Sequence, residues 1–366
     1  MLGSGFKSTP YNNYVLLADA FLHGHVWIDP PQAGIDALLY GGRYYIIEAP
    51  LPALLMLPFV ALTGFWANQT ALAAALGGIA LGAAWTIGER LGLSRKTNAW
   101  LCAFLLLGTD LYWCAMLGDV WFIAHVAAVA FTLLALAELL GSRRAWVVAL
   151  CAAAAFESRF VLVLVVPVYA VLLALDRASP AERRRALLSY VLCLLPFALL
   201  WVGYNEVRWG QPFDIGYATW YHEDPIGDPT GAPFKLKYAP FELYSFFLLT
   251  PAFYSQWPYV APTIVGIALT WTSPALALAF LARTPRRLAL AMWAAMLLIF
   301  VPSILYYANG ATQFGMRHAL DFEPFLFVLM ALGVRGGMPA WGAVLCGYSI
   351  AFGVWGAWFW RTFYRY

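Results

Sequence analysis

Apolar runs of about 20 residues recur along most of the chain, and short polar loops separate them. A helical run of that length matches the hydrocarbon thickness of a bilayer. The runs at 98–117, 121–141 and 262–282 are examples. The pattern predicts an all-α polytopic membrane protein with about 9–11 transmembrane helices.

The composition agrees with this fold class, since 63% of the residues are hydrophobic and 11% are charged. Soluble domains carry about 25% charged residues, which excludes an ordinary soluble domain. The net charge of +3 is small and is spread over the loops, so it gives no support to a nucleic-acid partner.

Residues 1–49 contain no apolar run that is long enough to span a bilayer. A helix drawn over Asn12–Leu22 has apolar side chains on one face, whereas Asp19 and His23 lie on the other. Such a helix is too short and too polar to cross, which predicts an amphipathic, juxtamembrane first external loop. The next run, 50–64, contains three prolines, so we expect that it does not fully cross.

The chain is predicted to form a single integral membrane domain, 1–366. Its parts are an external juxtamembrane catalytic loop (1–49), a first helix group (50–206), a long external loop (207–261) and a C-terminal helix group (262–366). Most of the 22 Lys and Arg residues lie in loops that alternating spans place on one side, which is predicted to be cytoplasmic. We therefore expect a multi-pass protein of the cell inner (plasma) membrane.

Asp19 and His23 are spaced i, i+4, so they are neighbours on one helix face. They form either an exposed polar pair or a site in which Asp19 is a general base at the boundary of water and lipid. His23 and His25, together with Asp29, also have a weak spacing for a metal site.

Asp119 stands at the exterior start of a predicted span, where it is either a helix cap or part of a site. Glu157 and Arg159 interrupt an otherwise apolar run. A charge at the bilayer centre costs at least ~2.5–3.5 kcal/mol on insertion scales. These two residues are therefore either a local ion pair, or a group in which Arg159 faces a phosphate.

Ionisable side chains also cluster at the entrance of a late apolar helix, at Arg317, His318, Asp321 and Glu323. Arg317 and Asp321 are spaced i, i+4. Either they form a structural pair that anchors the helix end, or Arg317 binds a lipid phosphate with its planar fork.

Several segments together resemble a known family. They are Tyr-x-x-x-Ala-Asp-Ala-Phe-Leu-His-Gly at 14–24, Gly-Gly-Arg-Tyr-Tyr at 41–45 and Pro-Leu-Pro-Ala-Leu-Leu-Met-Leu-Pro-Phe at 50–59. They resemble the first external loop of bacterial GT-C glycosyltransferases, the protein-mannosyltransferase-like and aminoarabinose-transferase-like enzymes of the glycosyltransferase family 39 type. The span that begins at Asp119 and the segment 313–325 are similar to later parts of the same group.

The resemblance implies a membrane glycosyltransferase that moves a hexosyl or pentosyl group from a polyprenyl-phosphate donor to a glycan, lipid or protein acceptor at the exterior membrane face. It also implies an external-loop carboxylate that deprotonates the acceptor hydroxyl, and arginines that hold the donor phosphate. The catalytic candidates are then Asp19, with Asp29 behind it, and Asp119 as a supporting acid. The substrate-binding candidates are His23, Glu157, Arg159, Arg317, His318 and Asp321. No cofactor is certain; a divalent cation is a candidate with unknown ligands.

The chain departs from the family pattern near its beginning. Relatives have a span before the first external loop, and their acidic residue precedes the Tyr-x-x-x-Ala helix, where this chain has Pro10 and Tyr11. Asp19 is therefore the substitute base. The alternative function is a membrane transporter or lipid flippase, although transporters often show internal repeats, which this sequence lacks. A non-catalytic scaffold would not need charged groups at several span entrances.

Overall fold

The computed structural model describes residues 8–30, 37–175, 177–213, 216 and 233–364. Its helices are α1 (Asn13–Leu22), α2 (Leu51–Thr63), α3 (Gln69–Arg90), α4 (Arg95–Leu107), α5 (Leu111–Leu117), α6 (Val120–Leu140), α7 (Ala145–Phe156), α8 (Val166–Leu175), α9 (Pro180–Trp209), α10 (Ala239–Phe247), α11 (Leu269–Thr272), α12 (Arg286–Leu305), α13 (Glu323–Gly333) and α14 (Ala340–Phe363). Short 3-10 helices lie at Gly64–Trp66, Phe160–Val165, Leu236–Tyr238, Pro274–Leu281 and Arg317–Asp321. The strands form antiparallel hairpins, β1 (Leu38–Tyr40) with β2 (Arg43–Tyr45) and β3 (Ala252–Phe253) with β4 (Val260–Ala261).

Within these ranges, α3, α6, α9, α12 and α14 are long and apolar enough to cross a membrane. The pair α4 and α5 adds a further candidate span that is bent by 50°. Shorter apolar helices, among them α1, α2, α7 and α13, pack around the spans. The predicted all-α polytopic membrane fold is confirmed.

Helix α6 lies at the core of the bundle and packs against α3 and α7. Of its apolar stretch, 83% is buried, against 11% for α9. Helix α9 instead exposes Leu192, Leu199 and Leu200. A helix that is apolar on all sides lies either inside a protein or in lipid. The two helices show these two cases, because α6 is enclosed by protein whereas α9 faces the lipid.

The run predicted as one span over 98–117 is divided at Gly108 into α4 and α5. The groups freed by the break are satisfied locally: the Ser273 hydroxyl donates to the Gly108 carbonyl (2.8 Å), and the Thr109 hydroxyl donates to the Leu105 carbonyl (2.7 Å). Unwound backbone is tolerated at membrane depth only when protein covers it in this way. Asp110 therefore enters the protein interior at the break.

The run predicted as a span over 262–282 does not form a long helix. It contains a turn at Gly266, which has φ +97°, then the short α11 and a 3-10 helix that begins at Pro274. The positive φ and the proline each interrupt α-helical geometry. The expectation of a regular span here is wrong.

Helix α1 is more deeply packed than an amphipathic surface helix. Asn13, Tyr14 and Val15 are all buried, whereas Leu22, on the predicted apolar face, is 46% exposed. Helix α2, against which α1 packs, is about 20 Å long at 1.5 Å per residue, which is shorter than the ~30 Å hydrocarbon core. The first segment is therefore held against the bundle.

We call the end of the bundle where α3 and α6 begin and where α9 and α12 end the site end. The basic loops lie at the opposite end, where the Arg335 Nε donates to the Leu91 carbonyl (2.7 Å) and Arg90 donates to the Ala137 carbonyl. Arginines that bond the last carbonyls of a helix complement its dipole. The alternation of spans thus separates the basic loops from the polar groups described next.

Candidate functional site

Asp321 is the centre of the best-defined polar cluster at the site end. Its Oδ1 lies 2.9 Å from the His125 Nδ1, and its Oδ2 accepts from the Arg159 Nη2 at 2.8 Å. The Arg159 Nε lies 3.2 Å from both carboxylate oxygens. The Asp321 side chain is 1% exposed, whereas that of Arg159 is 29% exposed. A buried carboxylate therefore holds an arginine that reaches the surface of the site.

This pairing differs from the predicted Arg317–Asp321 pair. Residues Arg317–Asp321 form a 3-10 helix, which has three residues per turn, so positions i and i+4 do not lie above each other. Asp321 binds Arg159 and His125 from distant parts of the chain instead. The alternative in which Arg317 and Asp321 anchor the helix end as a local pair is therefore wrong.

Burial and neighbouring charges set the protonation states of Asp321 and His318 in this cluster. Burial raises the pKa of Asp321, but the Arg159 and His125 side chains outweigh it and hold that pKa below its usual range. The His318 ring lies 5.5 Å from the His125 ring. Burial, with Arg159 and Arg317 nearby, holds the pKa of His318 well below its usual value. At neutral pH Asp321 is thus ionised and His318 is neutral.

Arg317 is the second cation of the site end. Its Nη1 donates to the Ala311 carbonyl (3.2 Å), and its guanidinium carbon lies 5.5 Å from the centre of the Phe122 ring. Burial lowers the pKa of Arg317 to about 10, and the charge of Arg159 acts in the same direction. Arg317 therefore stays protonated at neutral pH.

Asp110, to which the sequence assigned no role, lies next to this arginine. Its carboxylate packs against Gly315, where an added Cβ would come within 2.5 Å of the Asp110 Oδ1. The residue is 5% exposed. The carboxylate at the α4–α5 break is thus within electrostatic range of Arg317.

Asp119 occupies the N-cap position of α6, but its side chain makes no capping hydrogen bond. It accepts a hydrogen bond from the Thr9 hydroxyl instead. Gln69 fixes the same corner, because its Nε2 donates to the carbonyls of Gly118 (2.7 Å) and Tyr11 (3.2 Å). Asp119 is 1% exposed, so the segment before α1 covers it.

Asp19 and His23 pair with each other and are more exposed than Asp119 and Asp321. The His23 Nδ1 lies 3.5 Å from the Asp19 Oδ2, and the side chains are 66% and 29% exposed respectively. The His25 Nδ1 contacts the Trp27 carbonyl at 2.7 Å, and Asp29 is exposed. Among the residues that the structure describes, no group of three His, Cys, Asp or Glu side chains is arranged to hold a metal ion. The weak metal spacing of this segment thus has no matching ligand group.

Glu157 lies at the end of α7, close to the end of α9. Its carbonyl accepts from the Leu51 N–H (2.9 Å), which ties this break to the start of α2. Burial raises the pKa of Glu157 to about 8, and the positive charge of Arg208 opposes that rise. Glu157 is thus associated with Arg208, while its sequence neighbour Arg159 binds Asp321.

Tyr14, on the buried face of α1, connects the two regions. Burial raises the pKa of Tyr14 well above its usual value, and the charges of Glu48 and Arg159 act on its hydroxyl in opposite directions. Glu48 was not among the predicted site residues. The buried face of α1 therefore carries Tyr14 within electrostatic range of Arg159, while Asp19 is on a more exposed face.

The chain has no match among protein-family models or curated protein sequences. Its fold is similar to that of ArnT from Cupriavidus metallidurans, which was solved with undecaprenyl phosphate bound. The TM-score is 0.51 and the sequence identity is 16%. The alignment covers 90% of this chain but only 56% of the ArnT chain. The protein thus shares the fold of this ArnT structure, as the resemblance implies.

Proposed function

We propose that this protein is a glycosyltransferase that takes a sugar from a polyprenyl-phosphate donor and passes it to an acceptor at the exterior face of the inner membrane. The observation that carries the proposal is the position of Arg159 in a GT-C-like fold. Asp321 accepts hydrogen bonds from the Nε edge of the Arg159 guanidinium, and the Arg159 side chain remains 29% exposed at the site end. ArnT, which shares the fold, was solved with undecaprenyl phosphate.

Arg159 and Arg317 supply the charge that a lipid phosphate needs. An arginine fork matches phosphate oxygens in geometry, and hydrogen bonds between charged groups are about twice as strong as neutral ones. Asp321 fixes one edge of the Arg159 guanidinium before any ligand arrives, which reduces the entropy lost on binding. His318 and His125 lie beside this position as further polar contacts for the donor.

In the proposed reaction, a carboxylate removes the proton from an acceptor hydroxyl. The acceptor oxygen then forms a bond to the anomeric carbon, the bond from that carbon to the phosphate oxygen breaks, and polyprenyl phosphate leaves. Attack opposite the leaving group inverts the anomeric centre. Asp19 remains the candidate base from the sequence, with Asp29 behind it on the same segment and Asp119 as a supporting acid. Glu48 is an additional candidate because its charge acts on the Tyr14 hydroxyl, on which the charge of Arg159 also acts.

Binding of undecaprenyl phosphate to the full chain in lipid nanodiscs tests the donor site. Arg159→Lys keeps the charge beside Asp321 but loses the fork. We expect affinity to fall between about 10- and 100-fold, which is the worth of one or two charged hydrogen bonds. Arg185→Lys is the matched control, since Arg185 is exposed at the opposite end. Unchanged affinity in Arg159→Lys would contradict this donor site.

Transfer assays on Asp119→Asn, Asp19→Asn and Glu48→Gln identify the base. We expect one of the three variants to lose transfer while it still binds undecaprenyl phosphate. Addition of EDTA to the same assay tests the divalent cation. Solute uptake into vesicles that depended on Arg159 and Asp119, without any transfer, would support the transporter instead.

A further inference from the structure

A second polar cluster lies beside Arg159 and is not used by the proposed steps. We call it the Tyr204 cluster, and it comprises Tyr14, Glu157, Tyr204, Asn205 and Arg208. The Arg208 guanidinium carbon lies 3.9 Å from the centre of the Tyr204 ring, and the Arg208 Nη2 donates to the Asn205 Oδ1 at 2.7 Å. Tyr204 also lies within electrostatic range of Glu157 and Tyr14. The members come from α1, the end of α7 and the end of α9, and their charges and dipoles act on one another.

Several polar atoms of this cluster are buried without a hydrogen-bond partner among the described residues. They are the hydroxyls of Tyr14 and Tyr204, the Asn205 Nδ2 and the Glu157 Oε2. Leaving a buried polar group unpaired costs free energy, and four such atoms lie together in this cluster. A ligand that pairs these atoms would recover that cost on binding.

The chemistry of the cluster matches a sugar. The unpaired atoms include both donors (the phenol hydroxyls and the amide) and an acceptor (the carboxyl), as the hydroxyls of a sugar require. Aromatic surface adjoins them, because the Tyr204 ring packs against Phe21, and Trp201 packs against Phe156. Arg208 also bonds the Ile46 carbonyl (3.0 Å), which fixes the cluster to the segment before α2.

We propose that the Tyr204 cluster binds the sugar of the donor, with Tyr204, Asn205 and Glu157 hydrogen-bonding its hydroxyls. This inference rests on the proposed function, since it places the sugar next to the phosphate held at Arg159. The Tyr14 hydroxyl is within electrostatic range of both Tyr204 and Arg159. A site that hydrogen-bonds a substrate hydroxyl discriminates strongly against substrates that lack it, so these residues determine the choice of sugar.

The test uses variants that remove one unpaired atom each. Tyr204→Phe deletes the hydroxyl, and Asn205→Asp deletes the Nδ2 donor while it keeps an oxygen for Arg208. Tyr169→Phe is the matched control, because the Tyr169 hydroxyl is also buried without a partner among the described residues but lies on α8 against Phe325. All variants are compared in nanodiscs with bare undecaprenyl phosphate and with undecaprenyl phosphate carrying glucose, mannose or aminoarabinose.

We expect at least one sugar-linked lipid to bind the wild type more tightly than the bare lipid. Tyr204→Phe and Asn205→Asp should each lower the affinity for that sugar-linked lipid by about fivefold, equivalent to ~1 kcal/mol for one hydrogen bond. The affinity for the bare lipid should stay unchanged. The proposal is wrong if no sugar-linked lipid binds more tightly than the bare lipid. It is also wrong if neither variant changes binding, as expected when water alone fills the cluster, or if the variants lower the affinity for the bare lipid by the same factor. Failure of the wild type to bind bare undecaprenyl phosphate would instead remove the proposed function.

Discussion

At the scale of single residues, Glu157 carries a measurable consequence of its burial. It is 6% exposed, and its pKa is raised to about 8 in the folded protein. The usual value in an unfolded chain is about 4.3. The folded state therefore binds more protons than the unfolded state between these two values, and stability falls as the pH rises through that interval.

We predict that Glu157→Gln removes this dependence. Wild type should lose stability relative to the variant as the pH rises from about 5 to 8, by up to ~1.4 kcal/mol per pH unit. Thermal unfolding of both proteins in detergent, at several pH values, measures the difference. If the stability of the two proteins changes with pH in the same way, Glu157 is ionised in the folded protein and the prediction is wrong.

The sequence identified many of the residues at the site end but not their partners. Arg159 and Asp321 were both candidates, yet 162 positions separate them, and no local spacing links residues so far apart. His125 was an ionisable residue inside a predicted span, which is a signal of function, but its bond to Asp321 depends on tertiary packing. Asn205 and Arg208 lie at the end of a long apolar helix. Polar residues are ordinary at such an end, so the sequence contained no signal of a site there.

At the scale of elements, run length predicted the continuous helices well and the broken ones poorly. Helices α3 and α6 follow their apolar runs closely, because an apolar stretch in lipid has no better backbone partner than itself. The break between α4 and α5 is different, since it depends on Ser273 and on the close approach of α14. Hydropathy describes the composition of one segment. It therefore cannot show that a side chain from a neighbouring segment will hydrogen-bond the backbone carbonyls at a helix break.

The close approach of α14 makes a sharp prediction. A Cβ added at Gly353 would lie 1.9 Å from the Leu107 carbonyl oxygen, whereas one added at Gly347 on the same helix meets nothing within 4 Å. Gly353→Ala must therefore move α14 away from the break, and we expect a loss of roughly 2 kcal/mol or more. Gly347→Ala should be neutral or stabilising by up to ~1 kcal/mol, because alanine favours helix over glycine. Thermal unfolding of both variants in detergent compares them, and equal midpoints would contradict the packing described here.

At the scale of the whole molecule, the fold separates two kinds of polar group. The basic loops gather at one end of the bundle, and Arg159, Asp321, Arg317 and the Tyr204 cluster gather at the other. Since Lys and Arg are enriched on the cytoplasmic side, the site end should face the exterior. A polyprenyl-phosphate sugar and its acceptor would then meet on that side of the membrane.

Cysteine labelling in cells tests this orientation. Gln211, just after α9, is exposed at the site end, and Lys96 is exposed at the basic end. In a variant without the native cysteines, we expect a membrane-impermeant maleimide to label Gln211→Cys in cells whose outer envelope has been made permeable and whose inner membrane is intact. Lys96→Cys should react only after the inner membrane is permeabilised. The reverse pattern would place Arg159 on the cytoplasmic side and contradict transfer at the exterior face, whereas the expected pattern requires the sugar of the donor and the acceptor to be present at the exterior face.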